Sequence, residues 1–287
     1  MKQTILNAAL ILGLGLTTAN AQTKSLTSKN KSMDSSKKEK VVALIKSIET
    51  GAHEPVAYIN PNKYIQHNLG VADGLAGFGQ VLQALLPNSA KAQTVRAFQD
   101  GDFVFTHTNY NFFGPKIGFD IFRFEDGLIV EHWDNLQETP ESLNPSGHSM
   151  IDGSTEIKDL SKTEANKTLV KNFLEDILIN GQMDKIGKYF DGDKYIQHNP
   201  QIADGLSGLG HALEYMASQG LVMKFDKVHK VLGEGNFVLA VNEGSFGGEP
   251  TSFYDLFRIE NGKIAEHWDV IEPIAAQETW KNKNGKF

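Results

Sequence analysis

The run Glu131-His132-Trp133-Asp134 sets an imidazole and a carboxylate two positions apart, and the same four residues return as Glu266-His267-Trp268-Asp269. Side chains two apart on a β-strand point to the same side. A histidine and an aspartate so placed can hold and move a proton, which suits proton removal next to a carbonyl group. A second aspartate precedes each pair, Asp120 in Phe119-Asp120-Ile121-Phe122 and Asp255 in Tyr254-Asp255-Leu256-Phe257. On a neighbouring strand it would complete a cluster of two carboxylates and one imidazole over apolar walls. Burial raises a carboxylate pKa and an adjacent imidazolium lowers it, so such a cluster can be tuned for acid–base work. The structural alternative is a buried Asp–His pair that orders strand ends.

His67 and His198 belong to a second repeated island, Tyr64-Ile65-Gln66-His67-Asn68 and Tyr195-Ile196-Gln197-His198-Asn199. They are expected at the pocket, capping its mouth, with Phe122 and Phe257 in its walls; a packing role is the alternative. Two histidines and a carboxylate also make a transition-metal donor set. The long spacing carries no metal signature, and no metal is expected.

These residues need strands to hold them. Residues 94–98, 103–110, 117–124 and 128–136 are dense in β-branched and aromatic residues and are separated by turn residues, which predicts an antiparallel meander. Two registers are open for the last hairpin. A two-residue loop at Asp126-Gly127 sets Asp120 opposite Trp133; a three-residue loop from Glu125 to Gly127 sets it opposite His132. The second is preferred. It gathers Asp120, Phe122, His132 and Asp134 on one face and leaves Ile129, Glu131 and Trp133 on the other. Helices come first. Ser36 followed by Glu39 is a capping box, and Val41, Leu44, Ile45 and Ile48 make one apolar stripe. A second helix runs through Val81, Leu82, Leu85 and Leu86, stopped by Pro87 and Asn88. Helices followed by a meander predict an α+β domain.

The second copy follows the same plan, with Ser161 and Glu164 as a capping box, a stripe through Leu169, Val170, Phe173 and Ile177, and strands at 224–232, 236–242, 251–259 and 263–271. An extra helical segment is expected around 179–183. A repeat spaced by more than a hundred residues is too long for a solenoid, whose periods run roughly 20–50. The chain therefore divides into a leader (1–21), a tether (22–35), one domain (36–143), a linker (144–160) and a second domain (161–287). The copies differ at His107 and Asn109, which align with Val241 and Glu243, so two open pockets need not prefer the same ligand.

Length and charge set bounds. A chain of 287 residues accommodates two domains with their own cores. A formal net charge of -7, with no basic stripe, excludes a nucleic-acid partner. Lys2, an apolar run over 5–16 and Ala19-Asn20-Ala21 read as a secretory signal peptide rather than a membrane span. Without cysteine there is no disulfide, thiol chemistry or lipidated cysteine. The expectation is an exported protein, periplasmic or secreted, tethered through a polar Ser/Lys-rich segment.

The Tyr-Ile-Gln-His-Asn island, the Ala-Asp-Gly-Leu run after it, the strand Phe119-Asp120-Ile121-Phe122-Arg123-Phe124 and Glu-His-Trp-Asp together resemble the SnoaL-like polyketide cyclase branch of the nuclear-transport-factor-2-like superfamily. The resemblance spans about 36–140 and 161–275. It implies two tandem cone-shaped domains of cystatin-like fold, each a curved antiparallel sheet wrapped on helices around an apolar pocket. It implies cofactor-independent lyase or isomerase chemistry of aldol or cyclase type on a small carbonyl compound. The acid/base groups would be Asp134 and Asp269, positioned by His132 and His267, with Asp120 and Asp255 at the oxyanion-stabilising position. It further implies pairing through the sheets, so the two domains would form an internal pseudo-dimer. The alternative function is a non-catalytic module that binds a small apolar ligand.

Overall fold

The computed structural model describes residues 36–85 and 89–287. The expected leader, the tether and the helix stop at Pro87-Asn88 lie outside the described residues. Helix α1 (Lys37–Thr50) starts on the expected box: the Ser36 hydroxyl accepts from the Glu39 N–H at 3.2 Å, and the Glu39 carboxylate accepts from the Ser36 N–H at 2.8 Å. Gly51 ends it in the left-handed conformation, φ 67°. Helix α2 (Gly74–Ala84) follows Asp73. A Cβ at Gly77 would lie 1.7 Å from the Ala72 carbonyl oxygen, so only glycine lets the helix fold back there.

In the second module, helices α3 (Thr163–Phe173) and α4 (Gly205–Ser218) take the corresponding places. The capping box expected at Ser161 does not form. A 3₁₀ turn, Leu160–Lys162, runs straight into α3, so Ser161 never takes the extended geometry an N-cap needs. The Thr163 hydroxyl instead donates to the Leu160 carbonyl and accepts from the Gly235 N–H. The extra helical length expected around 179–183 forms on either side of residues 180–182. A π-helical continuation, Leu174–Ile179, and a 3₁₀ turn, Met183–Lys188, flank that stretch.

Strands β1 (Ile65–Gln66), β2 (Lys91–Asp100), β3 (Phe103–Asn111), β4 (Pro115–Glu125) and β5 (Leu128–Glu138) form one sheet in the order β1-β5-β4-β3-β2. Strands β6 (Ile196–Gln197), β7 (Met223–Glu234), β8 (Phe237–Phe246), β9 (Glu249–Glu260) and β10 (Lys263–Pro273) repeat it as β6-β10-β9-β8-β7. The meanders are antiparallel as expected. The short β1 and β6 add parallel edges, which makes both sheets mixed. Each module is thus an α+β unit with helices on one face of its sheet.

Neither expected register of the β4–β5 hairpin is the one formed. The turn is the two-residue Asp126-Gly127, with Asp126 at φ 47°. A bulge at Val130 then inserts one residue, so Asp120 pairs with Asp134 and Phe122 with His132. The bulge restores the expected polar face while moving Ile129 to the helix side, where it packs among Val41, Leu44 and Phe124. The second module has the same bulge between Ile264 and Glu266, and Asp255 pairs with Asp269.

The opposite faces of the two sheets share one core. Phe98, Phe105, Phe119, Ile121 and Trp133 from the first meet Phe237, Leu239, Tyr254, Leu256 and Trp268 from the second. Two contacts there are reciprocal. Arg96 lies over Trp268 at 4.3 Å and Lys230 over Trp133 at 4.2 Å. His67 stacks on the other side of Trp133 at 4.7 Å, and His198 on Trp268 at 4.6 Å. The chain after each last strand crosses to the other module. Asn144 donates to the carbonyls of Gln197 and Ile202. Asn282 donates to those of Asn68 and Val71. The expected linker and the polar tail after β10 are therefore two ordered straps. They run as Asn144-Pro145-Ser146-Gly147-His148 and Asn282-Lys283-Asn284-Gly285-Lys286.

Candidate functional site

The pleat of β4 and β5 turns Asp120, Phe122, His132 and Asp134 toward α1 and α2, and the two-residue β1 adds Gln66 and Asn68 beside them. Leu44, Ile45 and Ile48 of α1, Phe78 and Val81 of α2, Tyr64, Tyr110 and Phe112 complete a hollow of about 490 Å³. Its walls are apolar and its polar groups gather at one end. Asp120, His132 and Asp134 are each buried, at 6–8% exposure, yet all three line the hollow.

The hydrogen bonds fix the roles. The Gln66 amide oxygen accepts from the Asn68 backbone N–H at 2.8 Å, which identifies that atom as oxygen. His132 Nδ1 lies 3.0 Å from the same oxygen, so it must carry a proton and donate. His132 Nε2 faces Asp120 Oδ1 at 3.2 Å, and the two groups hold one proton between them. The Tyr110 hydroxyl donates to the other Asp120 oxygen at 2.7 Å. Burial, together with the Asp120 charge, pushes the Tyr110 hydroxyl well above its ordinary pKa. Asn68 donates to Asp134 Oδ2 at 2.6 Å. Asp134 Oδ1 has no hydrogen-bond partner among the described residues, although it is buried. Leaving a buried carboxylate oxygen unpaired is costly, and such atoms mark reactive positions.

The second module repeats this wiring. His267 sits between Gln197 at 3.0 Å and Asp255 at 3.0 Å, Asn199 donates to Asp269 Oδ2 at 2.7 Å, and Asp269 Oδ1 is again unpartnered. Burial works to lower His267, but its hydrogen bond to Asp255 and the charges of Asp269 and Asp255 overcome it, and its pKa rises. Burial raises Asp269, assisted by Asp255 and opposed by His267. Asn242 replaces Tyr110 as the donor to the distal aspartate, at 2.8 Å from Asp255 Oδ2.

Of the expected pocket residues, Phe122 lines the hollow, and Phe122 and Phe257 stack on His132 and His267 at 4.6 and 4.8 Å. His67 and His198 do not line it. Alternation along β1 and β6 sends Gln66 and Asn68 inward and turns His67 to the far face, against Trp133 and Glu131. His198 is likewise held by Trp268 and Glu266. His107 and Asn109 also lie on the far face: His107 stacks on Phe119, and Asn109 lines a separate cleft. The differences that do reach the trios are Thr106 against Ala240, Thr108 against Asn242 and Tyr110 against Gly244. Sequence reasoning missed Gln66, Asn68, Gln197 and Asn199 as members of the site, though all four recur within the island that contains the histidines. That recurrence is the one signal for them, since β1 and β6 are two residues long and leave no alternation to read.

Among the described residues, three groups bring metal-ligating atoms within 4.8 Å of one another: Asp120, His132 and Asp134; Asp255, His267 and Asp269; and His148, Asp152 and His198.

No family model and no curated protein matches the sequence. Solved structures do. IdmH from Streptomyces antibioticus, a candidate polyketide cyclase, is 20% identical and matches 34% of this chain and 90% of its own, with a TM-score of 0.30. A LEH-like epoxide hydrolase from M. tuberculosis is 24% identical over 39% of this chain and 85% of its own, at a TM-score of 0.30. An NTF-2 like protein of unknown function from Burkholderia xenovorans LB400 is 20% identical over 39% and 88%, at 0.32. No helix among the described residues is long and apolar enough to cross a membrane.

Proposed function

We propose that the first module is a cofactor-independent lyase or isomerase of aldol or cyclase type, acting on a small carbonyl compound with an apolar body. The carrying observation is Asp134 Oδ1, a buried and unpartnered carboxylate oxygen at the polar end of an apolar hollow. Asp134 takes the proton from carbon next to the carbonyl. The C–H electron pair moves into the enolate, and the carbonyl oxygen gains negative charge. The proton held between His132 and Asp120 stands ready to hydrogen-bond that oxygen, with Tyr110 holding Asp120 in place. Return of the proton to another carbon gives an isomer; attack of the enolate carbon on a second carbonyl gives an aldol product. Asp269, His267 and Asp255 carry the same roles in the second module.

The test is exchange of the α-protons of small ketones in deuterated water, followed by NMR. Activity should fall with Asp134→Asn and fall further when Asp269→Asn is added. Exchange unchanged in both single variants and in the double variant would sink the assignment. Ligand that co-purifies and is released unchanged, with no exchange, would favour a binding module instead.

We also propose that the two modules work as an internal pseudo-dimer, supported by the shared core and the reciprocal cation–aromatic contacts. Export is a further part of this reading, supported by the residues at 1–21. Fractionation of the producing cell should recover a chain that begins at Gln22.

A further inference from the structure

Away from both trios, the strap between the modules carries its own cluster. His148 and Asp152 come from the strap and His198 from the loop after β6. His198 Nδ1 lies 2.7 Å from Asp152 Oδ1, and His148 Nδ1 lies 3.9 Å from Asp152 Oδ2. One ligand atom from each residue falls within 4.8 Å of the others. A tetrahedral shell with bonds of about 2.0–2.1 Å sets neighbouring ligands roughly 3.3 Å apart. Side-chain adjustments of under about an ångström would close the set to that size.

The second layer of contacts points the same way. Each histidine hands its other nitrogen to a carboxylate outside the cluster: His198 Nε2 to Glu266 at 2.9 Å, and His148 Nε2 to Asp204 at 3.2 Å. Metal-ligating histidines are commonly oriented by a carboxylate on the distal nitrogen, which fixes the ring and strengthens it as a donor. Glu266 is itself held by Arg258 at 2.6 Å, and its carboxyl is kept below its ordinary pKa: burial opposes this, and the His198 and Arg258 hydrogen bonds overcome it.

The backbone is fixed as well. The Asp152 carbonyl accepts from Trp268 Nε1 at 2.9 Å and from Arg96. Asn144 holds His148 at both ends of its turn, accepting from the His148 N–H and donating its own N–H to the His148 carbonyl. Gly153, at φ 85°, presses so close that a Cβ would lie 2.8 Å from His198 Nε2. His198 is fully buried, while His148 and Asp152 are 30% and 46% exposed at the side chain, so a fourth ligand position faces solvent.

We propose that His148, Asp152 and His198 form a site for a divalent transition-metal ion of the zinc class. Ligation runs through both Nδ1 atoms and the Asp152 carboxylate. The ion takes the place of the Nδ1 proton that the Ser149 carbonyl accepts from His198. It staples the strap to the second module and leaves one position for water. The corresponding residue of the strap that crosses to the first module is Lys286, which pairs with Glu272 of β10, so the metal site is not duplicated.

The full chain, stripped with chelator, is titrated with zinc against a chromogenic indicator, and cobalt(II) is added separately to read its visible bands. One ion per chain is expected, with visible bands of tetrahedral intensity and a rise in Tm on zinc addition. His148→Ala and Asp152→Asn should each weaken zinc at least tenfold and remove the rise in Tm. Asp204→Asn should weaken it about 10–100-fold through loss of the orienting carboxylate. Asp134→Asn combined with Asp269→Asn should leave zinc binding intact. Unchanged affinity in both His148→Ala and Asp152→Asn would overturn the site. So would zinc lost from the Asp134/Asp269 double variant while His148→Ala retains it, because the ion would then belong to the trios.

Discussion

Leu44 of α1 lines the hollow beside the first trio, and the matching position in the second module, aligned on the buried stripes Val41-Leu44-Ile45 and Val170-Phe173-Leu174, is Phe173. That ring packs edge-on against Phe190 and Phe257 at 5.4 and 5.7 Å. The walls have diverged more than the polar wiring: the Gln–His–Asp and Asn–Asp hydrogen bonds recur in both halves, the donor to the distal aspartate is exchanged from Tyr110 to Asn242, and each trio has the same 5–8% exposure. Apolar walls tolerate changes of volume at modest cost. A buried polar network does not, because deleting one member strands its partners. The helix-side wall is thus free to vary the ligand, while the chemistry at the strand side stays fixed.

The sharpest way to break this pairing of modules is at the base. Asp134→Asn should lower α-proton exchange by about 10²–10⁴-fold, the usual size of a general-base contribution. Asp269→Asn should cost much less for any bulky ketone, because Phe173, packed against Phe190 and Phe257, takes up space on the helix side of the second trio. Equal losses for a bulky ketone would show that the wall does not matter.

Stability separates the halves next. Arg96 donates to the carbonyls of Ile151, Asp152 and Ser154 as well as lying over Trp268. The Lys230 ammonium lies over the ring of Trp133, and burial, opposed by Glu131, lowers its pKa to about 8. Arg96→Met should cost about 3 kcal/mol, since it strands several buried acceptors. Lys230→Met should cost about 1 kcal/mol or less. Urea midpoints of the two variants measure the gap.

A smaller effect concerns the distal aspartate. Tyr110→Phe removes one hydrogen bond from Asp120 and should reduce exchange about tenfold, the worth of a bond to a charged group. Asn242→Ala, at the corresponding role in the second module, should leave the slow step untouched if the first module dominates turnover.

The smallest effect is a slope. His267 and Asp269 both have raised pKa values in the fold, so the native state binds their protons more tightly than the unfolded chain does. The Asp269 contribution is complete below 3.8 and the His267 contribution below 6.5, and each is lost as pH climbs through the folded value. Stability should therefore fall as pH rises above 3.8 through the folded pKa of Asp269, and again as it rises above 6.5 through that of His267. His267→Gln should flatten the upper part of that fall; an unchanged slope would assign the titration to another group.

Much of this was legible in one dimension. The duplicated islands gave two modules, and the Asp-Gly and Asn-Gly turns gave the hairpins. The spacing of His132 and Asp134 gave a shared face. The register was not legible, because the Val130 bulge is an extra residue with no side-chain signature. His67 misled because a two-residue strand leaves no pattern from which to read alternation. The straps were missed because Asn144 and Asn282 bond to backbone carbonyls of the other module, and polar loop residues look alike whether or not they have partners.

The sequence by itself determined the residue types of the trio, their twofold occurrence and the α+β order, since these follow from local periodicity and repetition. Only tertiary structure decided which face His67 took, that His148 of the strap would meet His198, and that Trp133 and Trp268 would each lie between a histidine and a cation. Those outcomes depend on contacts between segments far apart in the chain, and they form only when the two sheets exclude water from the core they share.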